Sequence, residues 1–335
     1  MSDLALRRGT VVSVDRPGLA AELTVEVGGE RRRALSFEEA EPGDDVIVNV
    51  AALDLALGSG GFDIVHANLT RGLDGRGEAD AHVMKLNYPS LQHAVHPVEE
   101  QAPEGIDVGG RPVAVIALHG QLPCVAWAAA QTRPGARVGY VQTAGGALPG
   151  AMSRVVQDML ARGLLAGHVT AAPAYGGRHE AISTAGGLHA GLTALHWDAA
   201  IVGPGPGILG SATTLGHGGL VALDNAHAAL ALGAPTVVVP RMSSGDPRPR
   251  HRGMSHHTET VLRMLLRPAL VAIPEGDPAP ALPGAHEARV GAADLDGYLA
   301  SGLPARTMGR GPGDDELFFR AALAGGSVLG AEISK

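Results

Sequence analysis

Residues 243–260 read SSGDPRPRHRGMSHHTET and gather Arg248, Arg250, Arg252, His251, His256 and His257 between two apolar segments. Ser255 stands where it would cap a helix that carries Val261, Leu262, Leu265 and Leu266 into a core. Free backbone N–H groups at a helix start attract anions, and arginines add forked hydrogen bonds to phosphate or carboxylate. The chemistry expected is capture of a small anionic or phosphorylated metabolite by Arg250, Arg252 and Ser255, with His251 or His256 moving a proton. The plainer alternative is a solvated loop whose arginines pair with the protein's own carboxylates.

A metal is the rival explanation for the same stretch, because imidazole and carboxylate suit zinc, manganese or iron. Asp246, His256 and Glu259 are the candidate ligands, with His256 and Glu259 at i and i+3 on one helical face. Neighbouring helical positions diverge by about 100°, so His256 and His257 are not expected to share an ion. His257 is expected in the core or as a cap beside Val261. His179 opens His-Glu-Ala-Ile-Ser and lacks the second histidine of a zinc-protease helix, so the spacing matches no strong metal motif.

Other stretches carry weaker signals. His119 follows an apolar run and suits general acid/base work near neutral pH, with a turn-forming role equally open. Gly145 and Gly146, then Gly176, Gly177 and Arg178, then Gly205 and Gly207, allow close backbone approach to a ligand. Gly205, Gly207 and Gly210 spell G-x-G-x-x-G, with Asp224 downstream. A dinucleotide fingerprint opens straight into a helix, whereas Gly216, Gly218 and Gly219 keep this chain irregular. Asp224 and His227 share a helical face and read as a solvent-side pair. Ser255 fails the G-x-S-x-G elbow at its last glycine, and Cys124 within LPCVAWAAA reads as buried and inert. No cofactor motif is convincing, so the cofactor stays unassigned.

Composition narrows the classes. A formal net charge of −8 argues against nucleic acid or an anionic membrane as partner. One cysteine rules out an internal disulfide framework, and lysine only at Lys85 and Lys335 rules out a Walker phosphate loop. The amino terminus has no apolar signal core and the chain has no long apolar span, so a soluble, cytoplasmic protein is expected, with small molecules or copies of itself as partners.

The elements that must position these residues fall into two patterns. Residues 10–14, 21–27, 31–36, 45–50, 62–69 and 81–86 read as short strands, with Gly28-Gly29 as a hairpin turn. A small β-barrel or sandwich over 1–96 is expected, then a linker over 97–111 rich in proline and glycine. From residue 112 short apolar runs alternate with helical stripes, which points to an α/β, doubly wound, mainly parallel Rossmann-like sheet over 112–275. Residues 276–335 read as an appendage with one packing helix. Returns from helix to strand are curt, while exits from strand to helix are long and glycine-rich. Ligands of open α/β sheets sit outside the carboxyl ends of the strands, and every candidate loop lies there.

Residues 81–92, 145–153, 174–183, 205–219, 250–262 and 308–326, taken together, resemble a bacterial family known as domain of unknown function 3866. The resemblance spans nearly the whole chain and implies a bacterial, cytoplasmic protein. It carries over no catalytic residue. The leading expectation is thus a hydrolase or group transferase acting on a small anionic metabolite. The alternative is a non-catalytic nucleotide or metabolite sensor working as a homo-oligomer.

Overall fold

The computed structural model describes residues 4–334 apart from 57–59, 76, 90, 212 and 279. The chain divides into two units, Met1–Ala81 and His82–Lys335.

The first unit is a closed five-stranded barrel in the order β1-β2-β3-β5-β4. Its strands are β1 (Leu6–Arg16), β2 (Ala21–Val27), β3 (Glu30–Ser36), β4 (Asp45–Asn49) and β5 (Asp63–Asn68), with a single helical turn α1 (Ala51–Asp54) before the last. Alternation along β2 puts Ala21, Leu23, Val25 and Val27 inside, where they meet Val46 and Val48. The expected hairpin turn forms: Val27 pairs with Glu30, and Gly28 and Gly29 both have positive φ, the geometry of a two-residue primed turn. Arg71 donates to Asp44 across 2.7 Å and, with the Asn68 amide, holds that buried carboxyl down at about 2.

The second unit is built on an eight-stranded, all-parallel sheet in the order β11-β10-β9-β12-β8-β13-β16-β17. A short hairpin, β6 (Val83–Lys85) and β7 (His93–Val95), comes first in the chain. The sheet strands are β8 (Val113–Ile116), β9 (Val138–Thr143), β10 (Gly167–Ala171), β11 (His179–Ala181), β12 (Ala199–Pro204), β13 (Thr236–Val239), β16 (Leu270–Pro274) and β17 (Glu287–Gly291). Between β13 and β16 lies a two-stranded ribbon of β14 (Met242–Ser243) and β15 (Gly253–Met254).

Successive residues of a strand face opposite ways, and each face of the sheet has its own core. Ala114 and Ile116 of β8 face α2 (Leu122–Thr132), α3 (Arg154–Ala161), α7 (Leu295–Ala300) and α8 (Glu316–Glu332). Val113 and Val115 face α4 (Thr184–Thr193), α5 (Val221–Ala231) and α6 (His256–Met264). The chain moves outward one way from β8 with helices on the first face, then returns through β12 and moves the other way with helices on the second.

Three boundaries differ from the sequence reading. The segment 81–86 is not a barrel strand: buried Lys85 donates to the carbonyls of Thr170 and Ala174 and pairs with Glu180, all in the second unit. Residues 97–111 are not a loose linker, because Val98 and Val108 are buried in the core beside α4 and α5. Residues 276–335 are not an appendage. They supply the edge strand β17, and α8 packs Phe318, Phe319 and Leu323 against α2 in the central core.

Candidate functional site

A cleft of about 700 Å³ opens at the carboxyl ends of β8, β12 and β13. The connection after β8 leaves toward α2 on one face, whereas those after β12 and β13 leave toward α5 and α6 on the other. Such a divergence leaves a crevice between neighbouring strand ends, the usual ligand position in open α/β sheets. His119 and Gly120 line it from β8, residues 206–211 from β12, and Arg241, Arg248, Arg250, His251 and His257 from β13, while Arg306–Met308 close it from the carboxyl-terminal segment.

The Arg/His segment is shaped by the β14–β15 ribbon, which turns residues 244–252 back on themselves. Asp246 lies at its centre, fully buried. One of its oxygens meets Arg241 at 3.0 Å, Arg248 at 2.8 Å and Arg310 at 3.2 Å, and the other accepts from Arg248 Nε and its backbone N–H. These bonds, Arg248 foremost, hold the Asp246 carboxyl far below the usual carboxylate range. Asp246 is therefore a structural anchor, and both lone-pair faces expected for a metal are already used. Arg241, 3 % exposed, has its pKa lowered to about 10 by burial.

Ser255 caps α6, its hydroxyl accepting from the His257 N–H at 3.2 Å while lying 2.8 Å from His251 Nδ1. The bonds of that hydroxyl are thus internal to the loop. His251, His256 and His257 nonetheless converge, with ring centroids 5.0, 4.8 and 4.3 Å apart pairwise. His217 stacks face to face on His257 at 3.5 Å. The expected divergence of His256 and His257 fails because both stand in the first turn of α6. No earlier turn confines side chains there, and they lean back toward the amino-terminal loop. Burial is the largest cause, and Arg241 a further one, lowering His251 to about 4 and His257 to about 2. His256 is lowered too, by burial first and then by Arg250. His251 and His257 are thus neutral at neutral pH. Glu259 is outside the cluster and lines a separate groove with Leu262, Arg263 and residues 265–268.

Of the expected anion contacts, Arg250 lines the cleft and pairs with no carboxylate among the described residues, as does Arg306, which the sequence reading did not single out. Arg252 instead donates to the Asp246 carbonyl at 3.1 Å and does not line the cleft. Gly207 lines it. Gly145, Gly146 and Gly205 act one layer back: a Cβ on Gly146 would lie 2.2 Å from the Gly205 carbonyl and one on Gly145 2.6 Å from the Gly218 carbonyl. They let the loops after β9 and β12 cross. The N–H groups of Gly176 and Gly177 are taken by Glu180 and by Thr170 Oγ1, so that turn offers no free anion donors, and Arg178 is solvent-exposed outside the cleft.

His119 sits at the cleft edge, but both ring nitrogens are engaged, Nε2 with Ser153 Oγ at 2.6 Å and Nδ1 with the Pro204 carbonyl at 3.2 Å. Burial lowers it to about 4. Its neighbour Tyr140 donates to the same carbonyl at 2.8 Å. His119 thus ties β8, β12 and the start of α3 together. His227 accepts from the Leu266 N–H at 3.3 Å. Cys124 is buried, its thiol pushed up to about 12.

Sequence reasoning missed Arg241, His217, Arg306 and Arg310. Arg241 carried a signal, since it follows the apolar run 235–240 directly at a strand's carboxyl end. Residues 306–310 lie outside any strand exit, so spacing alone did not bring them to the cleft. Among the described residues, no helix is long and apolar enough to cross a membrane. No curated protein and no solved structure matches the chain. Residues 34–326, which include the whole cleft, match the protein family of unknown function DUF3866, and the chain belongs to that family.

Proposed function

We propose that this protein is an enzyme, a hydrolase or group transferase, acting on a small anionic or phosphorylated metabolite held in the cleft of a doubly wound, Rossmann-like unit. One observation carries the reading. Two arginines with no carboxylate partner among the described residues, Arg250 and Arg306, share a cleft of about 700 Å³ with the buried histidines His251 and His257. A cation left unpaired in an acidic protein is an open binding valence, and guanidinium groups match phosphate or carboxylate two bonds at a time. The volume suits a metabolite-sized ligand. Attack on a bound phosphoryl or acyl centre needs an activated water or hydroxyl beside the anion, and His251 and His257 of the imidazole cluster line the same cleft as the two arginines.

The test is ligand-induced thermal stabilisation with inorganic phosphate, pyrophosphate and a panel of phosphorylated metabolites. Arg250→Ala and Arg306→Ala are expected to cut the stabilisation sharply while leaving the unliganded melting temperature within about 2 °C. Equal stabilisation of wild type and both variants would remove the anion role. A metabolite bound tightly and never consumed would replace the enzyme by a sensor.

A further inference from the structure

We propose that His251, His256 and His257 form a three-imidazole site for a divalent transition-metal ion of the zinc class. The inference deepens the reading above by naming what activates the nucleophile beside the anion, and it stands on geometry of its own. Each ring offers one nitrogen, and these nitrogens all lie within 4.8 Å of one another. Tetrahedral zinc with Zn–N bonds near 2.0–2.1 Å needs nitrogens roughly 3.3 Å apart. His256 is the one ring of the three that is only half-buried, and so the one with most room to turn toward the others.

Hydrogen bonding points the same way. Among the described residues, His251 Nε2 and His256 Nε2 are shielded from solvent and have no hydrogen-bond partner, as is the case for both ring nitrogens of His217, which stacks on His257. A buried polar atom left unpaired is costly, and the pair on His251 and His256, whose rings touch, is best explained by a shared missing partner. A metal ion uses the lone pair of a neutral ring. His251 has the support that metal-binding histidines commonly show: with Nδ1–H donating to Ser255 Oγ, across 2.8 Å, Nε2 is left as the ligand atom.

The ligand set explains the surrounding charge. None of the three ligands is a carboxylate, and the nearby acid Asp246 is neutralised by arginines. Three neutral nitrogens leave a fourth position open, as in catalytic rather than structural zinc sites. An ion there keeps its positive charge, so a bound hydroxide or an anionic substrate oxygen completes the sphere, within the cleft that Arg250 and Arg306 share. Such an ion lowers the pKa of its water toward neutrality.

The full-length chain, stripped with a chelator, is titrated with Zn²⁺ alone by calorimetry and with Co²⁺ alone by visible absorption. The expected result is one ion per chain and the intense visible bands of a tetrahedral cobalt site. His251→Ala and His256→Ala should each weaken binding at least tenfold and abolish those bands. His256→Gln, at the half-buried position, repeats the test if an alanine variant unfolds, and His227→Ala, outside the cluster, should bind as wild type. Arg250→Ala should bind metal normally, so that failure of the anion reading and failure of the metal site are separable. Absence of one-to-one binding by wild type, or unchanged binding by the His251 and His256 variants, overturns the proposal. So does phosphate stabilisation of metal-free protein that depends on these histidines, which would make the cluster an anion site.

Discussion

Buried histidines set how this protein responds to acid. His119, lowered to about 4, and His168, lowered to about 3, lie in the second unit and are neutral in the folded chain. Both owe this first to burial, and His168 stacks flat on Tyr140 while its Nε2 faces Gln142 Oε1. In the unfolded chain each takes a proton near pH 6.5. The unfolded state therefore binds more protons below that point, so their contribution is complete above about pH 6.5 and is lost as pH falls toward 4. Each adds a slope approaching about 1.4 kcal/mol per pH unit across that window. Urea denaturation from about pH 7 to about pH 5 should show stability falling steadily, and His168→Gln should make the fall shallower. A flat profile in the wild type would contradict the burial of both rings.

Elements in this fold approach each other through missing side chains. Trp197 is buried against Gly139, Gly167 and Gly191, and a Cβ on Gly139 would fall 2.0 Å from the indole. Likewise a Cβ on Gly326 of α8 would fall 2.2 Å from the Val125 carbonyl of α2. Gly139→Ala and Gly326→Ala are each expected to cost about 2–3 kcal/mol in chemical denaturation, since backbone and a packed ring cannot yield as a flexible chain end can. A loss below about 0.5 kcal/mol would show that the layers slide freely.

The same elements show what was legible in the chain. Interior strands such as β8, β9 and β12 announce themselves as apolar runs because both faces are covered. β17 does not: it is an edge strand, four of its five residues are exposed, and EARVG has no apolar run to detect. Residues of the long exits, 206–211 and several within 241–257, do meet around one cleft at the carboxyl ends of the strands. What spacing could not convey was three-dimensional return. The convergence of His251 with His256 and His257 depends on a ribbon of two residues per strand, too short to leave a pattern. The difference between Arg250, which faces the cleft, and Arg252, which is tied to the Asp246 carbonyl, depends on a 3₁₀ turn at Pro249–His251.

At the scale of the whole molecule, the hydrophobic clusters sort with the two units: Leu23, Val25, Val46 and Val48 belong to the barrel, and the sheet cores draw on residues beyond 82. Both tryptophans, Trp127 and Trp197, lie in the second unit, so their fluorescence follows the sheet alone, whereas far-ultraviolet circular dichroism follows both. Leu23→Ala, at a fully buried barrel position, should cost about 3 kcal/mol in the dichroism transition and leave the fluorescence transition unmoved. A matching shift in both signals would mean that the two units unfold as one. The family match begins at residue 34, inside the barrel, and runs to 326 in α8.

Arg310 reaches Asp246 from 64 positions further along the chain, and Arg306–Met308 form part of the same wall. A ribosome delivers residue 250 long before residue 310. While the nascent polypeptide is emerging, its arginine-rich loop lacks the clamp that holds it, and the chamber stays unfinished until the tail has left the exit tunnel. The wall of the cleft is thus completed late in synthesis, and a product terminated before residue 306 carries His251, His256 and His257 without Arg306–Met308 or Arg310 around them.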